Sequence, residues 1–326
     1  CLIDESWSAL LTDSTKHWCV PLGRLPFGGR PSLLNDSYDV AEETPNMPVS
    51  NGASSQLVEK LSSDIVGISE RLVQARQEAT PLPAFPGTLP NDTKTAYAIQ
   101  YHSINNWPDE VTGWKVGGIS PSFQAQFDAP RLVGPIFASQ TLTALNCDSV
   151  AVTVFENGFA AVEAEFVIRT AVPLRPNQPI KTLEQLKECI ASMHLGAEIA
   201  SSPMADINEL GPGAIISDFG NNAGLIVGPQ ITNWRDQAME DIDISVSINN
   251  VLAGNVRTSV ADDAFAALEF MIELSSSRGI ELPAGTYVTC GALSGIHNVE
   301  PGNQASVLFE GIGRLDLTVD KRLPGV

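Results

Sequence analysis

No stretch of this chain approaches eighteen consecutive apolar residues, and no basic segment followed by an apolar run opens it. Neither a membrane-spanning helix nor a secretory signal is expected, and the cytoplasm is the default location. Cysteine is sparse and scattered: Cys1, Cys19, Cys147, Cys189 and Cys290 are odd in number and contain no CxxC pair. That argues against a disulfide framework and a thiolate zinc site, and the five are read as reduced thiols. Basic residues are few, with 19 Lys and Arg against 38 Asp and Glu and a formal charge of -19. No basic cluster or interleaved aromatic patch offsets this, so neither nucleic acid nor a membrane is an expected partner. An acidic protein that handles anionic small molecules needs local positive charge, from Lys or Arg or from a bound cation.

With 326 residues, 43% of them hydrophobic, the chain can bury one large core with an appendage. Residues 1–54 lack periodicity and are punctuated by Pro, Gly, Asn and Asp, which predicts a disordered or loosely attached leader, with Met47 a candidate start of the functional protein. Residues 55–110 read as a helical N-terminal region. Leu57, Leu61, Ile65, Ile68, Leu72 and Val73 form one stripe of a helix over 56–78 that Pro81 and Pro83 stop, and Asp92 caps a second helix over 93–104. Residues 111–326 read as a strand-rich remainder.

In that remainder a glycine-flanked strand, 112–121, carries Lys115 between apolar residues; the lysine is either a snorkelling surface group or a working amine. Residues 124–137 read as loop and turn. A strand at 150–155 is expected to form a hairpin with the next one, Ala161 to Ile168. There Val162, Ala164, Phe166 and Ile168 share one face while Glu163 and Glu165 lie on the other, roughly 7 Å apart. Such a pair faces either water or a cation, because burying it unpaired costs several kcal/mol. Thr182 to Gln185 reads as a capping box for a helix with Leu183, Leu186, Ile190 and Met193 inward. A short apolar strand with a third isolated carboxylate, Glu198, follows. Residues 214–228 read as a polar, glycine-rich turn suited to binding. Strands are expected at 242–248, 286–290, 305–309 and 312–319, with a helix from Asp262 or Asp263 to Ser277.

The ordered series Gly113-Trp114-Lys115-Val116-Gly117, Val162-Glu163-Ala164-Glu165-Phe166, Ala197-Glu198-Ile199, Ser217-Asp218-Phe219-Gly220-Asn221-Asn222-Ala223, and Leu282-Pro283-Ala284-Gly285 leading into Val288-Thr289-Cys290-Gly291 resembles the 2-keto-4-pentenoate hydratase and 4-oxalocrotonate decarboxylase family of the fumarylacetoacetate hydrolase superfamily. The resemblance covers residues 56–320. It implies an α+β fold, a mixed β-rich roll of the fumarylacetoacetate hydrolase C-terminal-domain type with a helical N-terminal region. It also implies Mg2+ or Mn2+ held by Glu163, Glu165 and Glu198, and a small 2-oxo acid substrate chelated to the ion. Lys115 and Asp218 would be catalytic, Arg131, Asn221 and Gly291 would bind substrate, and a homo-oligomer would be the working form. The implied reaction is addition of water to a 2-hydroxydienoate or 2-oxo-enoate in catabolism of aromatic or related compounds, with 2-oxo dicarboxylate decarboxylation as the alternative.

Two departures bear on the reaction. Arg131, in Pro130-Arg131-Leu132-Val133-Gly134, stands where many hydratases have an aspartate, and Asn221 stands where many have a serine. A carbon-carbon bond hydrolase would need a histidine paired with a glutamate, from His17, His102, His194 or His297. A non-catalytic 2-oxo acid-binding protein is the third reading.

Overall fold

The computed structural model describes residues 51–144, 149–176, 178–236 and 241–325, with side chains from Ser63 onward except Ala261. The expected leader up to residue 50, with Met47, and three of the five cysteines lie outside the described residues. Cys189 and Cys290 are free and buried.

Helix α1 (Asn51–Gln77) begins inside the last residues assigned to the leader. It packs Ile68 and Leu72 against Ile99 of α2 (Thr93–Asn105) and against Met204, Ile207 and Ala214. Asp92 caps α2 as expected, its carboxylate accepting from the Thr95 N–H at 2.7 Å, a contact worth about 1 kcal/mol.

The remainder runs β1 (Val111–Gly118), α3 (Pro121–Phe127), β2 (Arg131–Phe137), β3 (Thr141–Thr143), β4 (Val150–Val154), β5 (Phe159–Thr170), α4 (Leu183–Glu188), β6 (Ile190–Ser202), α5 (Ile207–Leu210), α6 (Pro212–Ser217), a 3-10 turn (Phe219–Asn221), β7 (Asn222–Gln230), β8 (Asp241–Ile248), β9 (Val251–Ser259), a π turn (Ala261–Phe265), α7 (Ala266–Ser277), β10 (Tyr287–Thr289), β11 (His297–Asn298), β12 (Gln304–Phe309) and β13 (Gly313–Lys321). One eight-stranded sheet has the order β2-β1-β10-β5-β6-β7-β3, with β11 added to β5; a five-stranded sheet has the order β4-β13-β12-β8-β9. Both are mixed: β1 with β10, β3 with β7 and β4 with β13 pair in parallel. This is the expected β-rich α+β class.

The larger sheet curls. Ile136 of β2 meets Leu225 and Val227 of β7 and Val167 of β5 in a small buried cluster, although β2 and β7 are five places apart in the strand order. The face carrying Val167, and with it Glu163 and Glu165, is therefore the inside of a roll. The outer face, with Val162, Ala164, Phe166 and Ile168, enters the main core. There Phe166 meets Phe309 of the second sheet edge-on, centroids 5.7 Å apart.

Several local expectations are corrected. Residues 124–137 are not loop: Pro121 opens α3, Asp128 ends it in the left-handed region at φ 48°, and the apolar run after Arg131 is buried as β2. β4 does not pair with β5; it joins β13 in the other sheet, and the Glu156-Asn157-Gly158 turn carries the chain from one sheet to the other. Helix α4 stops at Glu188, Leu183 is exposed, and Ile190 and Met193 are buried in β6 instead. A β-strand next to β5 buries these side chains more completely than a surface helix would. The 214–228 segment is mostly ordered structure, α6 and β7 around a short turn.

Candidate metal centre

Strict alternation along β5 places Glu163 and Glu165 inside the roll. Glu198 of β6 lies directly opposite Glu163 in the antiparallel register, so its side chain takes the same face. One carboxylate oxygen from each of the three lies within 4.8 Å of the others, and all three side chains are buried. Lys115 of β1 shares the cavity: its Nζ is 3.0 Å from Glu198 Oε1, with both side chains nearly inaccessible.

Three carboxylates around one ammonium leave an excess of negative charge in a water-poor space. Burial pushes Glu163 up to about 7; Lys115 opposes the shift and Glu198 adds to it. Burial, reinforced by Glu198 and Glu163, lifts Glu165 well above the carboxylate range. Burial alone would depress Lys115, but Glu198 and Glu163 outweigh it and raise the ammonium above its ordinary value.

Glu165 is firmly oriented. Its Oε2 accepts from the Cys290 N–H at 2.9 Å, the Gly291 N–H at 2.6 Å and the Cys290 thiol at 3.3 Å. Oε1 has no donor, and neither does Glu198 Oε2. Buried carboxylate oxygens without donors, converging with a third carboxylate, fit a hard divalent cation such as Mg2+ or Mn2+. The residues present suit the group that the resemblance implies.

The other expected site residues are distributed differently. Gly291 lies beside the glutamates, but its N–H is spent on Glu165. Arg131 pairs with Gly118 in a register that sets Lys115 opposite Gly134. It therefore falls on the face opposite Lys115, where its guanidinium donates to the Cys290 carbonyl at 3.1 Å. Asp218 is buried and engaged: Arg76 of α1 donates to it through Nε and Nη2, and Ser202 Oγ donates to Oδ2 at 2.6 Å. Ser202 is four residues beyond Glu198 on β6, about 13 Å along the strand. Asn221 is buried with φ 63°, and its Oδ1 has no partner.

The turn before it, Phe219-Gly220, packs on Gly134 and the Lys115 stem, where a Cβ on Gly134 would meet the Phe219 carbonyl at 2.2 Å and one on Gly220 the Lys115 Cδ at 3.2 Å. Arg76 and Cys290, which hold Asp218 and Glu165, carry no signal in the sequence that marks them as site residues. Arg76 stands in no motif, Cys290 lies in the last one without a role read for it, and each acts through a partner more than a hundred residues away.

None of the described histidines forms the pair a hydrolase needs. His297 is opposite Val162 and so points to the outer face, bonded to Ser294. Both His194 nitrogens are engaged, by the Gly228 carbonyl and Ser192 Oγ, and His102 contacts Ser69. A separate cavity of about 720 Å³, lined by Trp107, Gln140, Ile199, Ala223 and Arg322, does not include the glutamates.

No family model matches the chain. Over 101 residues it is 22% identical to the 4-oxalocrotonate decarboxylase of Pseudomonas putida, a match covering 31% of this chain and 38% of that relative's length. Two solved structures of 4-oxalocrotonate decarboxylase from Pseudomonas putida G7, one complexed with calcium and acetate and one with magnesium and adipate, each give a TM-score of 0.64 at 18% identity. Each covers 79% of this chain and 98% of its own. The chain thus has a fumarylacetoacetate hydrolase-type fold, which agrees with the resemblance read from its motifs. No helix among the described residues is long and apolar enough to cross a membrane.

Proposed function

We propose that this fumarylacetoacetate hydrolase-type roll is a divalent-metal-dependent lyase acting on a small 2-oxo acid or its 2-hydroxydienoate form. The observation that carries the reading is the convergence of Glu163, Glu165 and Glu198, buried together, with Lys115 as the cation beside them. The three glutamates would hold Mg2+ or Mn2+. The ion, when bound, supplies a Lewis acid for the carboxylate and 2-oxygen of the substrate.

The chain's own groups do the rest. The Cys290 and Gly291 N–H groups keep Glu165 turned so that one oxygen faces the cluster. Lys115 is the group placed to carry a proton to or from the substrate carbon, because its amine is inside the roll and the Phe219-Gly220 turn confines its stem. The roll interior excludes bulk water, which strengthens these charge interactions.

The Asp218 carboxylate, held by Arg76 and Ser202, ties the turn at 219–222 to α1 and β6. Decarboxylation needs one proton delivered to carbon and no activated water, so it asks less of a site whose proton carrier is Lys115 than hydration does. The decarboxylase named in the comparisons is consistent with that preference; hydration is the second reading. A homo-oligomeric, cytoplasmic enzyme of aromatic or related catabolism completes the proposal.

The test is calorimetric titration of Mg2+ and Mn2+ into wild type and Glu165→Gln, followed by ultraviolet assay of 2-oxo-enedioate and 2-hydroxydienoate loss with and without chelator. Carbon dioxide release or a hydrated product separates the two readings. Ion binding and turnover that survive both the substitution and the chelator would overturn the proposal.

A further inference from the structure

Asn222 is the first residue of β7, buried at 2% exposure, and neither its Nδ2 nor its Oδ1 has a hydrogen-bond partner. A primary amide offers two donors and an acceptor, and native structures seldom bury one with everything unspent. Its direction follows from register. Asn222 pairs with Ala200, Ala200 pairs with Ala161, and these lie two residues from Glu198 and Glu163 on the same strands. Asn222, as the cross-strand partner of Ala200, therefore takes the glutamate face one row beyond Glu198, past the irregularity that leaves Ala223 between the Ile199–Gly224 and Ala200–Asn222 pairs. Its own row continues through Ala200 and Ala161 to the exposed Asn298 of β11, so methyl groups are its immediate neighbours.

The main chain at this point is held from behind. The Asn222 carbonyl accepts from Arg76 Nη1 at 2.9 Å, and the same guanidinium binds Asp218. The Arg76–Asp218 pair thus clamps the backbone while leaving the amide unengaged, the arrangement of a preorganised recognition group. On a face otherwise rich in carboxylates, Nδ2 is a neutral donor that can accept the approach of a second anionic group.

We propose that Asn222 is a specificity-determining residue that donates through Nδ2 to a carboxylate at the far end of the substrate, selecting 2-oxo dicarboxylates over 2-oxo monocarboxylates. The assignment rests on the metal-dependent reading above, and the experiment separates the two. Full-length protein with saturating Mg2+ is titrated with three probes: oxalate, which presents only the head group, and 2-oxoglutarate and 2-oxopentanoate, which share a chain length but differ in the distal carboxylate.

Wild type is expected to bind 2-oxoglutarate about tenfold more tightly than 2-oxopentanoate. Asn222→Leu is expected to bring the two within twofold of each other, with Mg2+ and oxalate affinities unchanged within twofold. Asn222→Asp, which places a like charge at the same point, is expected to reverse the preference. Equal affinity of wild type for the two oxo acids overturns the proposal without any variant, and so does a preference that survives in Asn222→Leu. Wild type that fails to bind oxalate in the presence of Mg2+ overturns the metal reading itself, and this assignment with it.

Discussion

Lys115 and Glu198 meet at 3.0 Å although their strands, β1 and β6, are three places apart in the sheet. On a flat sheet those backbones would stand about 14 Å apart. The contact exists because the sheet curls and both side chains point inward. It neutralises part of the charge that three buried carboxylates create.

Replacing Lys115 by methionine should therefore cost the metal-free protein about 3 kcal/mol, since the acids lose their only buried counter-charge among the described residues. Saturating Mg2+ should restore most of that stability. Urea unfolding with and without the ion measures both, and turnover should stay at least about a hundredfold below wild type even with Mg2+.

Burial lifts Glu163 from 4.5 to about 7 in the folded chain. The folded state then holds this proton more tightly than the unfolded one, so the stabilisation is full below about 4.5 and is lost as pH rises through about 7. Metal-free protein should melt at a lower temperature at pH 8 than at pH 5.5. Glu163→Gln should shrink that difference, and Mg2+ should offset it by favouring the ionised carboxylate. A wild-type slope unaltered by the substitution would show that other groups set it.

The Arg76–Asp218 pair ties α1 to the turn before β7, with Arg76 lying over the Phe155 and Phe219 rings at 5.5 and 5.2 Å. Arg76→Met should destabilise the chain by about 3–5 kcal/mol, because it leaves a carboxylate buried without its cation. Asp218→Asn in the same chain should recover part of the loss. A double-mutant cycle followed by thermal melting checks the coupling, and additive effects would refute it.

Gly134 has no room for a side chain, since a Cβ there would meet the Phe219 carbonyl at 2.2 Å. Gly134→Ala should cost about 1–3 kcal/mol through forced displacement of the turn over Lys115. Activity should fall further than Mg2+ affinity does, because the turn borders the lysine and not the metal ligands. Parallel calorimetry and kinetics distinguish the two effects.

Much of this is legible in the amino-acid sequence. Period-two alternation puts Glu163 and Glu165 on one face of β5, and the N-cap at Asp92 and the strand over 242–248 are readable from local chemistry alone. Motif position does not say which face a strand presents or which group holds a carboxylate, so the surroundings of Arg131 and Asp218 are read only from the fold. Arg131 falls on the outer face by one step of register, and Asp218 is claimed by a guanidinium 142 residues away.

The sequence by itself determined the charge deficit, the alternating carboxylates, the glycine-flanked strand that carries Lys115, and the helical region ahead of them, since each depends on residues close in the chain. Only the tertiary structure decided that Glu198 lies opposite Glu163, that Lys115 reaches across to it, and that Asn222 stands beside them with its amide unspent. Those facts depend on strand order and sheet curvature, which are set by how two sheets and the helices packed on them share one core and are written in no single segment.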